Sequence, residues 1–169
     1  PLSATQIQDC VDSTLDNITD ETTWMRALRV LRARLMFRWI WQDANQLTDV
    51  VALTRELSDF ADASIRAAKD FARVPLVAKH GEPIGYNGTV QDLIVVAMGK
   101  LGAQELNLSS DIDLIFAFGE QGETNGRKCI DVQQFCILWG QKLIYLLDHM
   151  TADGFVFRVD MRLRPWGDG

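Results

Sequence analysis

The sequence predicts a protein of mixed α and β structure (α+β or α/β): an α-helical region over residues 1–85, then an α/β unit with a mixed sheet over residues 86–169. Three observations carry this expectation. Apolar residues recur with a helical period between Trp24 and Trp39. Two short apolar runs, Asp92–Met98 (DLIVVAM) and Asp111–Phe118 (DIDLIFAF), have strand length and composition. The segment Phe155 to Leu163 alternates apolar and charged residues with the period of a strand.

In chain order, a first helix is expected from about Ser3 to Ile18. Asp20 offers an N-cap for a second, about Glu21 to Asp43. At 100° per residue, Trp24, Leu28, Leu31, Leu35 and Trp39 fall in one stripe about 80° wide, the width of a core-facing surface. Arg26, Arg29, Arg32, Arg34 and Arg38 scatter around this helix, and residues 1–90 hold twelve acids against ten bases. They read as a solvated, salt-bridged surface, not a nucleic-acid stripe. A third helix runs from about Asp49 to Ala78, with Pro75 expected to kink or end it. The turn-rich stretch His80 to Gly88 marks the boundary. Asp92–Met98 is expected to be a buried strand, Leu101 to Leu106 a short helix, Asn107 to Ser110 a polar turn, and Glu120 to Lys128 a polar loop. Asp131 then caps a helix whose Val132, Phe135, Cys136, Trp139, Leu143, Leu146, Leu147 and Met150 share one face and must pack on a sheet. Thr151 to Gly154 turns the chain into the last strand, which Pro165 ends.

With 169 residues, 47% hydrophobic and 24% charged, the chain is long enough for a sizeable core and is not disordered in composition. A net charge of −6 argues against non-specific nucleic-acid or anionic-membrane binding, which needs a basic field, and no apolar run has the length of a membrane span. Cys10, Cys129 and Cys136 are odd in number and scattered, so they read as thiols of a reducing cytoplasm, not a disulfide framework; with only His80 and His149 they form no zinc signature. The start at Pro1 and the end at Gly169 suggest a piece of a longer protein.

The chemistry concentrates in three aspartates. On the strand 111–118, Asp111 and Asp113 share one face, roughly 6.5 Å apart, while Ile112, Leu114, Phe116 and Phe118 share the core face. Two carboxylates so placed need a counter-charge, and hard oxygen ligands suit Mg²⁺ or Mn²⁺. On the last strand Asp160 shares its face with Arg158, Arg162 and Arg164, an arrangement that suits a metal and phosphoryl oxygens together; an exposed salt-bridged strand is the alternative. Gly99-Lys100 is not a P-loop, because Leu101 follows Lys100 and Ile94 stands where the upstream glycine belongs. A glycine at a strand end can still admit a phosphate to backbone N–H groups, or simply serve a tight turn.

A strand ending in glycine, Asp-x-Asp separated from Lys100 by ten residues, and a third Asp on a later strand together resemble the nucleotidyltransferase superfamily that includes DNA polymerase β. Two longer stretches, Met98-Gly99-Lys100-Leu101-Gly102 through Ser109-Ser110-Asp111-Ile112-Asp113-Leu114-Ile115-Phe116 and Gly154 to Gly167, resemble the glutamine synthetase adenylyltransferase family. So do Leu31 to Arg34 with Trp39, and Arg55 to Ala63. That family carries two such domains, one removing AMP from glutamine synthetase and one adding it. Asn107, Leu108, Ile112, Arg158 and Met161 side with the removing half, with Trp166 where phenylalanine is usual.

The resemblance implies a polymerase-β-like nucleotidyltransferase core preceded by helices. It implies deadenylylation by phosphorolysis: inorganic phosphate attacks the AMP-tyrosine phosphodiester of adenylylated glutamine synthetase and ADP leaves. Asp111, Asp113 and Asp160 would be the catalytic, metal-holding residues for Mg²⁺ (or Mn²⁺). Gly99, Lys100, Ser109, Ser110, Arg158, Arg162 and Arg164 would bind phosphate or nucleotide, with Ser109 and Ser110 equally able to cap the turn. Partners would be glutamine synthetase, the PII signal protein, inorganic phosphate and ADP or ATP, with no nucleic acid and no membrane. The alternatives are an adenylyl-adding domain using ATP, or a regulatory docking module with an inactive site.

Overall fold

The computed structural model describes residues 1–161. Helices α1 (Ala4–Leu15), α2 (Glu21–Ala44) and α3 (Val50–His80) come first. They are followed by β1 (Pro83–Gly85), β2 (Ile94–Met98), the single turn α4 (Gly99–Gly102), β3 (Ile112–Ala117), β4 (Gly122–Thr124), α5 (Val132–Asp148) and β5 (Val159–Asp160). Each long helix starts where a short polar side chain can satisfy a free backbone N–H. Ser3 and Gln6 form a reciprocal capping box, Asp20 Oδ2 accepts from Thr23 N at 2.8 Å, Asp49 Oδ1 from Ala52 N at 2.7 Å, and Asp131 Oδ1 from Gln134 N at 2.6 Å. α4 is one turn long and carries no side-chain cap.

β3 is the centre of a three-stranded sheet, antiparallel to β2 and parallel to β5. Its inner face, with Ile112 and Leu114, is buried against helices. α5 approaches so closely that a Cβ on Gly140 would lie 2.6 Å from the Phe116 ring. Val132, Phe135, Cys136, Trp139, Leu143, Leu146 and Leu147 of α5 are buried, and Trp139 Nε1 donates to Lys69 O of α3 at 2.8 Å. The core is continuous from Ile7 of α1 to Phe157 before β5.

Several expectations change. α3 continues through Pro75 to His80, the far turn being held by Gly81 N donating to Val77 O and by His80 Nδ1 against Lys128 O at 2.7 Å. β2 is not a buried strand: it is a sheet edge with one face covered, and Ile94, Val96 and Met98 stand exposed on the other. The turn after it forms over Gly99–Gly102 instead of Leu101 to Leu106, because Gln104 takes a left-handed φ of 60° and stops it. Met150 lies past the end of α5 and is exposed. Two short strands inside the stretches expected as turn and loop, β1 and β4, pair antiparallel. Among the described residues the expected long last strand is present only as Val159–Asp160, and Val156 breaks the alternation by being buried. Leu163, Arg162, Arg164 and Pro165 fall outside the described residues. No helix among the described residues is long and apolar enough to cross a membrane.

Arg29 departs most from a solvated surface. It is 1% exposed, and its guanidinium donates to the carbonyls of Gly154 (2.7 Å), His149 (2.6 Å), Leu146 (3.1 Å) and Met25 (3.1 Å). Burial pulls it below its usual pKa, but an arginine keeps its charge. It thus closes the C-terminal end of α5, where free carbonyls and the helix dipole favour a cation. Replacing it leaves those buried acceptors unpaired, so Arg29→Met is expected to lower stability by about 3 kcal/mol in urea denaturation. Burial also pushes the Cys136 thiol up to about 11, while Cys129 is exposed. Iodoacetamide at pH 8, read by mass spectrometry, should therefore label Cys129 and spare Cys136 until the chain unfolds.

Candidate functional site

The parallel register of β3 and β5 makes Asp113 and Asp160 direct partners. Adjacent strands lie about 4.8 Å apart, so two such residues leave the sheet side by side on one face. Met98 is the antiparallel partner of Asp113, which puts the pair on the open face of the sheet, the face that also carries Val96 and Ile94. The chain therefore brings together two carboxylates distant in sequence.

Gly99 fits against this pair. Its φ is +55°, a backbone conformation that costs a side-chain-bearing residue roughly 1–2 kcal/mol. A Cβ there would also collide with Asp113 Oδ2. The glycine is needed twice, once for the bend out of β2 and once to let the Asp113 carboxylate approach the backbone.

Asp111 stands just before β3 and is engaged differently. Its Oδ1 lies 2.6 Å from Arg158 Nε, and Arg158 Nη2 donates to Ser109 O at 3.2 Å. Arg158 thus ties the 107–111 turn to the entry of β5, reinforced by Ile112 N donating to Arg158 O at 2.9 Å. Asn107 Oδ1 accepts from Ser110 Oγ at 2.7 Å and from Ser109 N at 3.2 Å, so Ser110 caps the turn. Lys100 Nζ reaches Ser110 Oγ at 3.4 Å. Arg162 and Arg164 lie outside the described residues.

Among the described residues no group of three or more His, Cys, Asp or Glu is assembled to hold a metal ion. Asp113 and Asp160 are neighbours, and Asp111 is turned to Arg158. The donor set nonetheless fits a hard cation. Mg²⁺ is commonly held by one or two carboxylates, with water and substrate phosphate completing its shell, and the Gly99 cradle leaves the approach to Asp113 clear.

Sequence reading missed the supports behind the turn. Ser58 Oγ, on α3 and fully buried, accepts from Leu106 N at 3.1 Å while donating to Thr54 O at 2.8 Å. Gln104 Nε2 donates to Asp62 Oδ2 at 3.1 Å. Nothing local marks Ser58 as a partner of a residue 48 positions away. The second requirement for Gly99 was equally hidden, because it depends on the β2–β3 register. Gly99→Ala is expected to lower stability by about 1–2 kcal/mol and to displace Asp113. Urea denaturation reads the first effect, and amide ¹H–¹⁵N shifts at Asp113 and Asp160 read the second.

The sequence model of the glutamate-ammonia ligase adenylyltransferase family matches residues 1–169. The chain is 80% identical over 169 residues to the bifunctional glutamine synthetase adenylyltransferase/adenylyl-removing enzyme of Acinetobacter baylyi, covering 100% of this chain and 18% of that protein. Proteins of the same name from Thioalkalivibrio sulfidiphilus and Hahella chejuensis are 48% and 51% identical over 168 and 154 residues, covering 99% and 90% of this chain and 17% and 16% of theirs. The chain spans less than a fifth of the length of these relatives. With a match that runs its whole length, the chain belongs to the glutamate-ammonia ligase adenylyltransferase family.

Proposed function

We propose that this chain is the nucleotidyltransferase core of an adenylyl-removing domain, with a polymerase-β-like fold, that deadenylylates glutamine synthetase by phosphorolysis. The observation that carries the reading is the Asp113–Asp160 pair on the open sheet face beside Gly99. It is supported by relatives whose name includes adenylyl removal. Arg158 supports the removing direction: it pairs with Asp111, whereas the glutamate usual at that place in the adding half would repel it. In this reading adenylylated glutamine synthetase and inorganic phosphate are the substrates, and the PII signal protein is a regulator.

In the reaction an oxygen of inorganic phosphate bonds to the α-phosphorus of the AMP-tyrosine ester. The bond from phosphorus to the tyrosine oxygen breaks. ADP leaves, and the tyrosine oxygen takes a proton from water. Asp111, Asp113 and Asp160 would hold Mg²⁺ or Mn²⁺, which when bound neutralises charge on the transferred group and on the departing phenolate. Lys100 and Arg158 orient phosphoryl oxygens, Lys100 as a point charge and Arg158 as a fork. Ser109 and Ser110 shape the turn that presents Asp111. Arg162 and Arg164 belong to the same charged series in the sequence.

A second reading, a docking module without chemistry, is favoured by the engagement of Asp111 with Arg158. One assay separates the two. Adenylylated glutamine synthetase, Mg²⁺ and this chain should release ADP only when inorganic phosphate is present, and EDTA should stop the release. Asp113→Asn should reduce the rate by roughly 10²–10⁴-fold, the scale of several kcal/mol of charge stabilisation, with an unchanged circular dichroism spectrum. Release of ADP that survives Asp113→Asn would remove the carboxylate pair from the chemistry, and no ADP at all would favour docking.

A further inference from the structure

The motif turn has a second side. Behind it, facing α2, is a cavity of about 230 Å³. Its walls include Asn107, Ser109, Ser110 and Arg158 of the site, together with Arg32 of α2 and Phe155. None of the residues lining it is acidic.

Arg32 is the unusual member. Its Nε is buried and has no hydrogen-bond partner. Among the described residues no salt bridge involves it. Its guanidinium carbon lies 5.1 Å from the centre of the Phe155 ring, a contact that holds the plane in place but satisfies no N–H. Burial alone lowers its pKa, with no carboxylate acting on it. The arginine on the same helix that is still more buried, Arg29, spends its donors on four carbonyls. Arg38 reaches Glu56 at 2.9 Å. A buried donor left without an acceptor is costly, and a planar guanidinium suits phosphate oxygens bidentately.

We propose that this cavity is an anion site for a phosphate group, with Arg32 as its principal binding residue and Arg158 as the link to the Asp111 turn. The ligand is a phosphoryl dianion or monoanion, carried either by free inorganic phosphate or by the AMP moiety. The choice of phosphate among anions rests on the phosphoryl-transfer reading above; the cavity and the unpartnered donor do not. The helical region then contributes a ligand-binding side chain and is not only a support. Arg32 sits about 20° beyond the Trp39 edge of the α2 apolar stripe, the angular position from which a long side chain can reach inward along the core margin.

The test is direct binding to the full chain. Inorganic phosphate and, separately, AMP are titrated by calorimetry and by the ¹⁵Nε–¹H resonance of Arg32 in the wild-type protein. At least one of the two should bind saturably and shift the Arg32 Nε–H signal. Arg32→Gln should weaken that binding at least tenfold, and Arg32→Lys less, because charge is kept and the fork is lost. Binding by phosphate alone identifies the free anion as the occupant, and binding by AMP alone identifies the adenylyl phosphate; either supports the site. No saturable binding of either, or binding that leaves the Arg32 resonance unmoved, overturns it. Because the Nε–H reading needs no variant, a failure of Arg32→Gln to fold does not stop the test. Phosphate or AMP bound through Arg32 by a chain that releases no ADP would sustain this site and defeat the phosphorolysis reading. ADP release with Arg32 unperturbed by either probe would do the reverse.

Discussion

One buried guanidinium fixes where the chain re-enters the sheet. β5 is two residues long, too short to position itself by its own ladder. Its placement is set upstream, where α5 ends and residues 151–154 turn. Arg29 reaches across from α2 and bonds carbonyls on both sides of that turn, Leu146 and His149 before it and Gly154 after it. Val156 N and Phe157 N then donate to Leu147 O at 2.8 and 3.2 Å, and the strand arrives level with β3. Arg29 thus sets the path on which the β3 pairing of Asp160 and the Arg158–Asp111 contact are made.

Side-by-side carboxylates repel, and the fold limits that cost by its choice of face. At about 5 Å, two unit charges cost just under 1 kcal/mol in water and about 3 kcal/mol at an effective dielectric of 20. The inner face of β3, which carries Ile112 and Leu114, would impose the higher figure and a desolvation penalty besides. The outer face, shared with the exposed Ile94, Val96 and Met98, leaves the pair partly exposed to water. β2 is an edge strand with an open face.

The α2 stripe, the N-caps Asp20 and Asp131, and the α5 face through Leu147 were legible because each depends on neighbours within a turn or two. Strand alternation would put Asp111 and Asp113 on one face, but β3 begins at Ile112, and Asp111, just before it, is held by Arg158 instead. What was not legible depends on distant partners. β1 and β4 are three residues each and exist only because they pair with each other. Pro75 breaks isolated helices, but here the turns beyond it are held from outside. Arg29 and Arg32 look like neighbouring surface arginines in sequence, and only the packing of α5 and Phe155 against α2 separates a clamp from an unpartnered donor. The Arg158 engagement of Asp111 was hidden for the same reason: alternation puts Arg158 on the face of Asp160, but gives no sign that it reaches back to the turn.

The charged groups sort by burial into those that frame the molecule and those that can change partners. Glu56 is 2% exposed and accepts from both Arg38 and Trp39 at 2.9 Å. Removing Arg38 strands a buried charge, which costs several kcal/mol, so this pair locks α2 to α3. Arg158 and Asp111 have side chains 58% and 43% exposed. Exposed pairs contribute at most about 1 kcal/mol, less than a substrate phosphate or a divalent cation supplies on binding either partner. The contact therefore orders the turn without committing it, and both members can be released to a ligand while the buried frame remains unaltered. Exchangeable surface pairs on a scaffold of buried, multiply bonded ones can change partners without loosening the fold.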